Sequence, residues 1–241
     1  MTQIARINRI VDYQAAFASS MRALNLETAN RLITALSGGP DSTALACLAD
    51  LYAQSHGKEH QAVIVNHNIR PEASAEAVRV SQRMKKRAIT SQILTIKDKA
   101  PETGLQEWAR HQRFAVLTKM ARQNGAVLLF GHQQADQAET VLMRLSRGSG
   151  VVGLAGMRGL SMRDAVLVAR PLLDWDAKTL VSVLGLVGCD YEDDPSNQNS
   201  QFERVQMREF LGHAAASGLP VIDDALRLGR VMRALTNHLD K

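Results

Sequence analysis

Short apolar runs alternate with longer amphipathic stretches along this chain, and that alternation sets the expected architecture. Arg31 to Leu36 reads as a short buried strand, and Thr43 to Ala53 as a helix with Leu45, Leu48 and Leu51 on overlapping turns. The rhythm repeats in strands at Ala62 to Val65, Ile93 to Ile96 and Ala126 to Phe130. Helices come between and after them, at Ala73 to Ala88, Leu105 to Gln123 and Gln134 to Leu145. Ala165 to Ala169 reads as a fifth strand. This order predicts an α/β fold: a Rossmann-like, parallel five-stranded sheet with helices on both faces, followed by a small helical subdomain. The expected division is a helical lead-in over 1–30, the sheet domain over 31–170 and a helical extension over 171–241.

Within the extension, helices are expected at Ala177 to Leu186, Phe202 to Leu211 and Ile222 to Leu239, with a polar turn at Glu192 to Asn199. The last helix carries Leu226, Leu228, Val231, Leu235 and Leu239 with no obvious downstream domain to pack on, as if longer relatives continue beyond it. Gly148, Gly150, Gly153, Gly156 and Gly159 make Arg147 to Met162 read as a flexible connection, or as a loop that orders on binding.

Composition adds limits. Of 241 residues, 45% are hydrophobic and 22% charged, ordinary values for a globular protein. No apolar run approaches the roughly 18 residues of a membrane-spanning helix. Met1 to Arg9 is polar and has no signal-peptide core, so no membrane association and a cytoplasmic location are expected. Cys47 and Cys189 form neither a disulfide framework nor a CxxC motif, and Cys47, between Ala46 and Leu48, reads as core packing. A net charge of +5 suits a polyanionic partner such as RNA, and equally a mildly basic surface with no partner.

In parallel α/β sheets, sites lie at the carboxyl ends of the strands. After the first strand comes Ser37-Gly38-Gly39-Pro40-Asp41-Ser42, then a helix. Two glycines let backbone N–H groups approach an anion, and the helix N-terminus favours negative charge. Ser42 and Thr43 suit the cap and first turn of that helix, and Ser37 and Ser42 add hydroxyls. Asp41 makes sense beside phosphate only with a bridging cation such as Mg²⁺. The loop lacks a lysine, so it is no Walker A motif. On the helix after the fourth strand, Asp136, Glu139, Thr140 and Arg147 share one face at 100° per residue, and Ala138, Val141, Leu142 and Leu145 the other. The carboxylates suit a metal ion, an ammonium group or a proton in transfer; an ordinary solvated polar face is the alternative.

The S-G-G-x-D-S loop resembles the signature of the PP-loop ATP pyrophosphatases, which cleave ATP between the α- and β-phosphates and adenylate a substrate oxygen. Further segments are similar to those of the tRNA(Ile)-lysidine synthetases. These are Val65-Asn66-His67-Asn68-Ile69-Arg70-Pro71-Glu72-Ala73-Ser74, Ala109-Arg110-His111-Gln112-Arg113-Phe114 and Gly131-His132-Gln133-Gln134-Ala135-Asp136-Gln137-Ala138-Glu139-Thr140 running on to Arg144 and Arg147-Gly148-Ser149-Gly150. Arg170-Pro171-Leu172-Leu173, Glu192-Asp193-Asp194-Pro195-Ser196-Asn197 and Arg204 complete the set. The resemblance implies an ATP-dependent ligase that adenylates O2 of the wobble cytidine of tRNA(Ile) with a CAU anticodon and joins L-lysine there. It implies ATP binding by Ser37 to Ser42 with His67, Gly131 and His132, catalysis by Asp41, Asp136 and Glu139, and Mg²⁺ on Asp41 and Asp136. Arg110, Arg113, Arg144, Arg147 and Arg204 are the implied tRNA contacts, each readable also as an ordinary surface arginine. A homodimer is the assembly considered.

The chain departs from the family pattern where Ala135 replaces the first Asp of a pair, where Asn66 replaces Asp, and at Gln133, where His or Thr is usual. The loss at 135 motivates an alternative, a nucleotide- or tRNA-binding module with degenerate catalysis. A tRNA thiolase of the same superfamily is the other alternative, and Cys47 and Cys189 lack the spacing for it.

Overall fold

A computed structural model of the chain describes residues 3–192 and 203–239. After helix α1 (Gln3–Ala23), the expected alternation follows as β1 (Arg31–Leu36), α2 (Pro40–Ser55), β2 (Glu59–Asn66), α3 (Ala73–Lys86), β3 (Ser91–Thr95), α4 (Leu105–Gln123) and β4 (Val127–Leu129). Then come α5 (Gln134–Ser146), α6 (Val151–Leu154), β5 (Leu160–Arg163), β6 (Val166–Ala169), α7 (Ala177–Val187), α8 (Glu203–Ala216) and α9 (Val221–Leu239). Contacts divide the chain into two units, one of residues 1–131, 160–172 and 178–193, the other of 132–159, 173–177 and 194–241. Among the described residues, no helix is long and apolar enough to cross a membrane.

The sheet lies in the first unit, in the order β3-β2-β1-β4-β6-β5. All pairs are parallel except β5 with β6, so the sheet has six strands rather than the expected five. The extra strand is an antiparallel edge hairpin arm within the glycine-rich stretch, where Leu160-Ser161-Met162-Arg163 carries too little apolar signal to stand out. β1 is buried almost along its whole length because both its faces are covered, as in parallel sheets generally. On one face Ile33, Val63, Leu128 and Val168 pack with Phe114, Leu117 and Ala121 of α4. Phe114 stacks on Phe130 at 4.8 Å between ring centroids.

Polar groups cross this unit in one buried network. His60 of β2, with 1% of its side chain exposed, meets Asp50 of α2 at 3.1 Å through Nδ1. Its Nε2 lies 2.8 Å from the hydroxyl of Thr34 in β1, a fully buried residue. His60→Ala takes one partner from the buried Thr34 hydroxyl and one from the half-buried Asp50 carboxylate, so a loss of roughly 2–3 kcal/mol is expected in urea unfolding. A change below about 0.5 kcal/mol, typical of an exposed site, would remove this network from the account of stability.

In the second unit, α5 is enclosed by α6, α8 and α9. Ala138 and Val141 pack with Leu211 and Ala225, flanked by Leu142, Met207 and Leu228. The last helix therefore has a receptor that its sequence did not announce. Leu226 and Leu228 turn toward the unit, while Val231 and Leu235 remain 50% and 47% exposed. The glycine-rich stretch is pinned rather than a loose connection. Gln137 both donates to the Met157 carbonyl and accepts from its amide, at 2.9 and 2.7 Å. Arg144 Nη1 donates to the carbonyls of Gly153 and Gly156, and Arg233 Nη2 to those of Ala155 and Met157. Short-range glycine content masked this order because the restraining side chains lie on other helices.

Candidate functional site

β1 ends at Leu36 and the chain turns through Ser37, Gly38 and Gly39 into α2. Gly38 sits at φ +94°, a conformation that side-chain-bearing residues rarely adopt. Gly39 is the N-cap, in extended backbone, and Pro40 opens the helix. Ser42 and Thr43 thus lie inside the first turn rather than at the cap. The Ser42 hydroxyl donates to Gly39 O at 3.1 Å and lies 3.0 Å from the Ser37 hydroxyl. The Thr43 hydroxyl donates to Gly38 O at 3.1 Å. Gly39, as the N-cap, brings no side-chain cap to the start of α2, and the first-turn amides and helix dipole there favour an anion.

Two neighbours hold the loop closely. A methyl group on Gly131, just beyond β4, would come within 3.0 Å of the Asp41 carbonyl oxygen, so that strand end abuts the start of α2. On the other side the Glu192 amide donates to Gly38 O at 2.8 Å. Arg83 Nη2 lies 2.6 Å and Arg79 Nε 3.4 Å from the Glu192 carboxylate. Burial works against the charge on Glu192, but these two arginines outweigh it and hold its carboxyl below the usual range. Asp193 and the rest of the expected polar turn, through Asn199, lie outside the described residues.

After β2, Asn66 is buried, with its side-chain amide donating to the Ser74 hydroxyl at 3.0 Å and its carbonyl oxygen accepting from the Asn68 amide at 2.9 Å. An aspartate could not make the first of these donations. His67 is half-buried, and burial, followed by the Arg113 charge, lowers its pKa. The unfolded chain therefore takes up a proton at His67 before the folded one does. Stability is lost as pH falls through about 6.5, the ordinary histidine value. His67→Gln is expected to reduce the drop in melting temperature between about pH 7 and about pH 5. Identical pH profiles for the two proteins would contradict this. Arg113, also of α4, is half-buried; Arg110 is exposed, with its guanidinium 5.3 Å from the centre of the Phe114 ring.

In the second unit, Gln133 caps α5: its side chain accepts from the Ala135 amide at 2.7 Å, and its amide donates to Asp136 Oδ2 at 3.0 Å. Asp136 thus closes a capping box. Glu139 is fully buried, contrary to a solvated polar face, and Arg208 of α8 meets it through Nε at 2.9 Å and Nη2 at 3.4 Å. The same Arg208 lies 3.9 Å from Asp136. The helical wheel misses this because it assumes one covered face, whereas α5 is covered on several sides and Leu145, from the nominal apolar face, is 47% exposed. Arg208 was missed in the sequence; its spacing of one helical turn from Arg204 was the available signal. Arg204 lies in the first turn of α8 and its side chain is outside the described residues. His132 is half-buried between β4 and α5, and Arg147 is exposed at the end of α5. Arg144, an expected RNA contact, donates Nη1 to the carbonyls of Gly153 and Gly156 in the glycine-rich backbone.

A mostly parallel sheet whose first strand opens through a glycine turn into a proline-started helix defines an α/β domain with its candidate site at that strand end, without a loop lysine. Residues 11–215 match the PP-loop domain, and the chain belongs to that family. It is similar to the tRNA(Ile)-lysidine synthase of Rhodopseudomonas palustris, with 40% identity over 212 residues, covering 86% of this chain and 61% of that protein. The enzyme of the same name from Bradyrhizobium sp. (strain BTAi1) is 40% identical over 206 residues, 84% of this chain and 58% of that protein. The chain thus spans less than two thirds of the length of these relatives. A solved structure of similar fold is the U34-tRNA thiolase NcsA from Methanococcus maripaludis. It has a TM-score of 0.76 at 17% identity, over 95% of this chain and 80% of that one.

Proposed function

We propose that this chain is the catalytic part of a tRNA(Ile)-lysidine synthase, acting in the cytoplasm. It binds ATP on the Ser37–Ser42 loop and transfers AMP to O2 of the wobble cytidine in an isoleucine tRNA with a CAU anticodon, releasing diphosphate. The ε-amine of L-lysine then attacks C2, and AMP leaves. Adenylation is needed because a carbonyl oxygen is a poor leaving group. One observation carries the reading: a backbone-built phosphate loop in a chain that matches enzymes of this name over 84–86% of its length.

The described residues gather no group of three His, Cys, Asp or Glu side chains that could hold a metal ion. A magnesium ion in such surroundings takes one or two carboxylates and completes its octahedron with phosphate oxygens and water. Asp41, half-buried in the first turn of α2, fits that description. Asp136 fits it less well, with Oδ2 already on the Gln133 amide and Oδ1 near Arg208. The ion would supply charge neutralisation at the phosphates. His67, Gly131 and His132, at or just beyond the ends of β2 and β4, complete the ATP-binding set proposed here.

Of the two α5 carboxylates, the Asp136 side chain keeps 18% exposure and that of Glu139 only 1%. Asp136 is therefore the one that a lysine ammonium can reach, and Glu139 is a positioning residue that holds Arg208. Arg110, Arg113, Arg147 and Arg204 remain the proposed phosphate contacts for tRNA; Arg144 serves the glycine-rich segment.

The test is incorporation of labelled lysine into an isoleucine tRNA transcript with a CAU anticodon, with ATP and Mg²⁺ present. Lysine-dependent AMP formation matched to label in the tRNA is the expected result. AMP release with no lysine in the product would overturn the reading and leave a different adenylating activity on the same loop.

A further inference from the structure

The Gly38 carbonyl is held twice. It accepts from the Thr43 hydroxyl at 3.1 Å and from the Glu192 amide at 2.8 Å, so both of its lone pairs are engaged. In a trans peptide the carbonyl and the following N–H point in opposite directions. The two donors therefore also set the Gly39 N–H, aiming it away from Thr43 and Glu192. A Gly-Gly peptide needs such holding. Neither residue has a Cβ, so rotation of the peptide between its two Cα atoms meets little steric resistance.

Thr43 donates from inside α2, whereas Glu192 donates from the segment that follows α7. Its amide stays on Gly38 O only while that segment stays in place, and the Glu192 side chain fixes it there. Oε1 of its carboxylate lies 2.6 Å from Arg83 Nη2 and 3.4 Å from Arg79 Nε. Both arginines belong to α3, which is anchored by buried Ala77, Val80 and Met84. Val80 also packs on Gly38, 2.6 Å from where a Cβ would stand there, with Glu192 Cγ at 3.5 Å. All of these residues lie in the first unit. We propose that Glu192 is a positioning residue of the nucleotide site: its clamped carboxylate keeps its amide on Gly38 O, and that amide locks the Gly38–Gly39 peptide with the Gly39 N–H presented to a phosphate oxygen of ATP. Glu192 touches no nucleotide; it acts through Gly38. A donor set in advance loses no freedom when the ligand arrives, and that gain appears as affinity. The proposal rests on the reading of Ser37 to Ser42 as the ATP loop and adds the residue that sets one of its donors.

The experiment compares the full chain with Glu192→Ala, Glu192→Gln, Arg83→Ala and the double variant Glu192→Ala/Arg83→Ala. Without nucleotide, hydrogen exchange at the residue-192 amide, corrected for its intrinsic rate, should be about 5-fold faster in Glu192→Ala, the size of one partly exposed ion pair. The Gly39 amide resonance should broaden or move in the same variant, the signature of a peptide no longer held in one orientation. In calorimetric titration the dissociation constant for ATP should rise about 5-fold for Glu192→Ala. Glu192→Gln, which still accepts from Arg83, should lose less. The double variant should lose no more than Glu192→Ala, because the two residues act through one contact. An unchanged Gly39 resonance and residue-192 exchange rate would overturn the proposal and leave ATP binding on the loop intact. So would ATP affinities within about 2-fold of the parent for both Glu192 variants, or additive losses in the double variant. A parent chain that does not bind ATP would overturn the reading of the loop, and the proposal with it.

Discussion

Gly38→Ala is expected to raise the dissociation constant for ATP by roughly 30-fold or more, the equivalent of about 2 kcal/mol. Two effects combine at this position. The backbone sits at φ +94°, where an L side chain is strained by about 1–2 kcal/mol. The added methyl would also stand 2.6 Å from Val80 Cγ2, and Val80 is a 3%-exposed residue of α3 with little room to retreat. The total of about 2–4 kcal/mol lies within what a folded domain tolerates, so the strain should appear as a displaced loop. Gly39→Ala is the matched control. Its φ of −68° is ordinary, and the nearest atom to the new methyl is Ser37 Oγ at 3.8 Å. Its affinity should stay within about 3-fold of the parent, a difference below 1 kcal/mol. Adding Val80→Ala to Gly38→Ala should recover part of the loss, since it removes the contact and leaves the φ strain. Calorimetric titration of ATP onto the three variants decides it. Equal losses for Gly38→Ala and Gly39→Ala would mean that the loop geometry is not what holds the nucleotide.

Arg208→Ala carries the second large effect. It leaves the Glu139 carboxylate, on a residue with no exposed surface, without its two-pronged partner. Breaking a buried pair in this way costs about 3–5 kcal/mol when both ions are buried. The Arg208 side chain is 51% exposed, so solvent screening lowers the expectation to about 2–3 kcal/mol. Glu139→Gln leaves instead an arginine that water can reach, and should cost about 1 kcal/mol. The asymmetry is the diagnostic part. Amide hydrogen exchange along α5 reads it locally, without assuming that the whole chain unfolds in one step. Equal protection losses in the two variants would show that burial of Glu139 is not what makes Arg208 matter.

The strands and helices of the first unit were legible because their signals are local. Arg31 to Leu36 can be buried on both faces only as a central strand, and the following Gly-Gly-Pro run can only be a turn into a helix. The anion-binding role proposed for Ser37 to Ser42 is read from residue types in a row and needs no partner from elsewhere. The antiparallel strand Leu160–Arg163 stayed hidden because pairing with β6 defines it, not its own composition. The same holds for Arg208 on Glu139 and for the Thr34-His60-Asp50 network, each joining side chains from different elements. Sequence order alone determined the alternating α/β layout and the loop that opens α2. Only tertiary packing decided which charges are buried and which arginine they meet, because burial and electrostatic coupling depend on distances that no periodicity along the chain records.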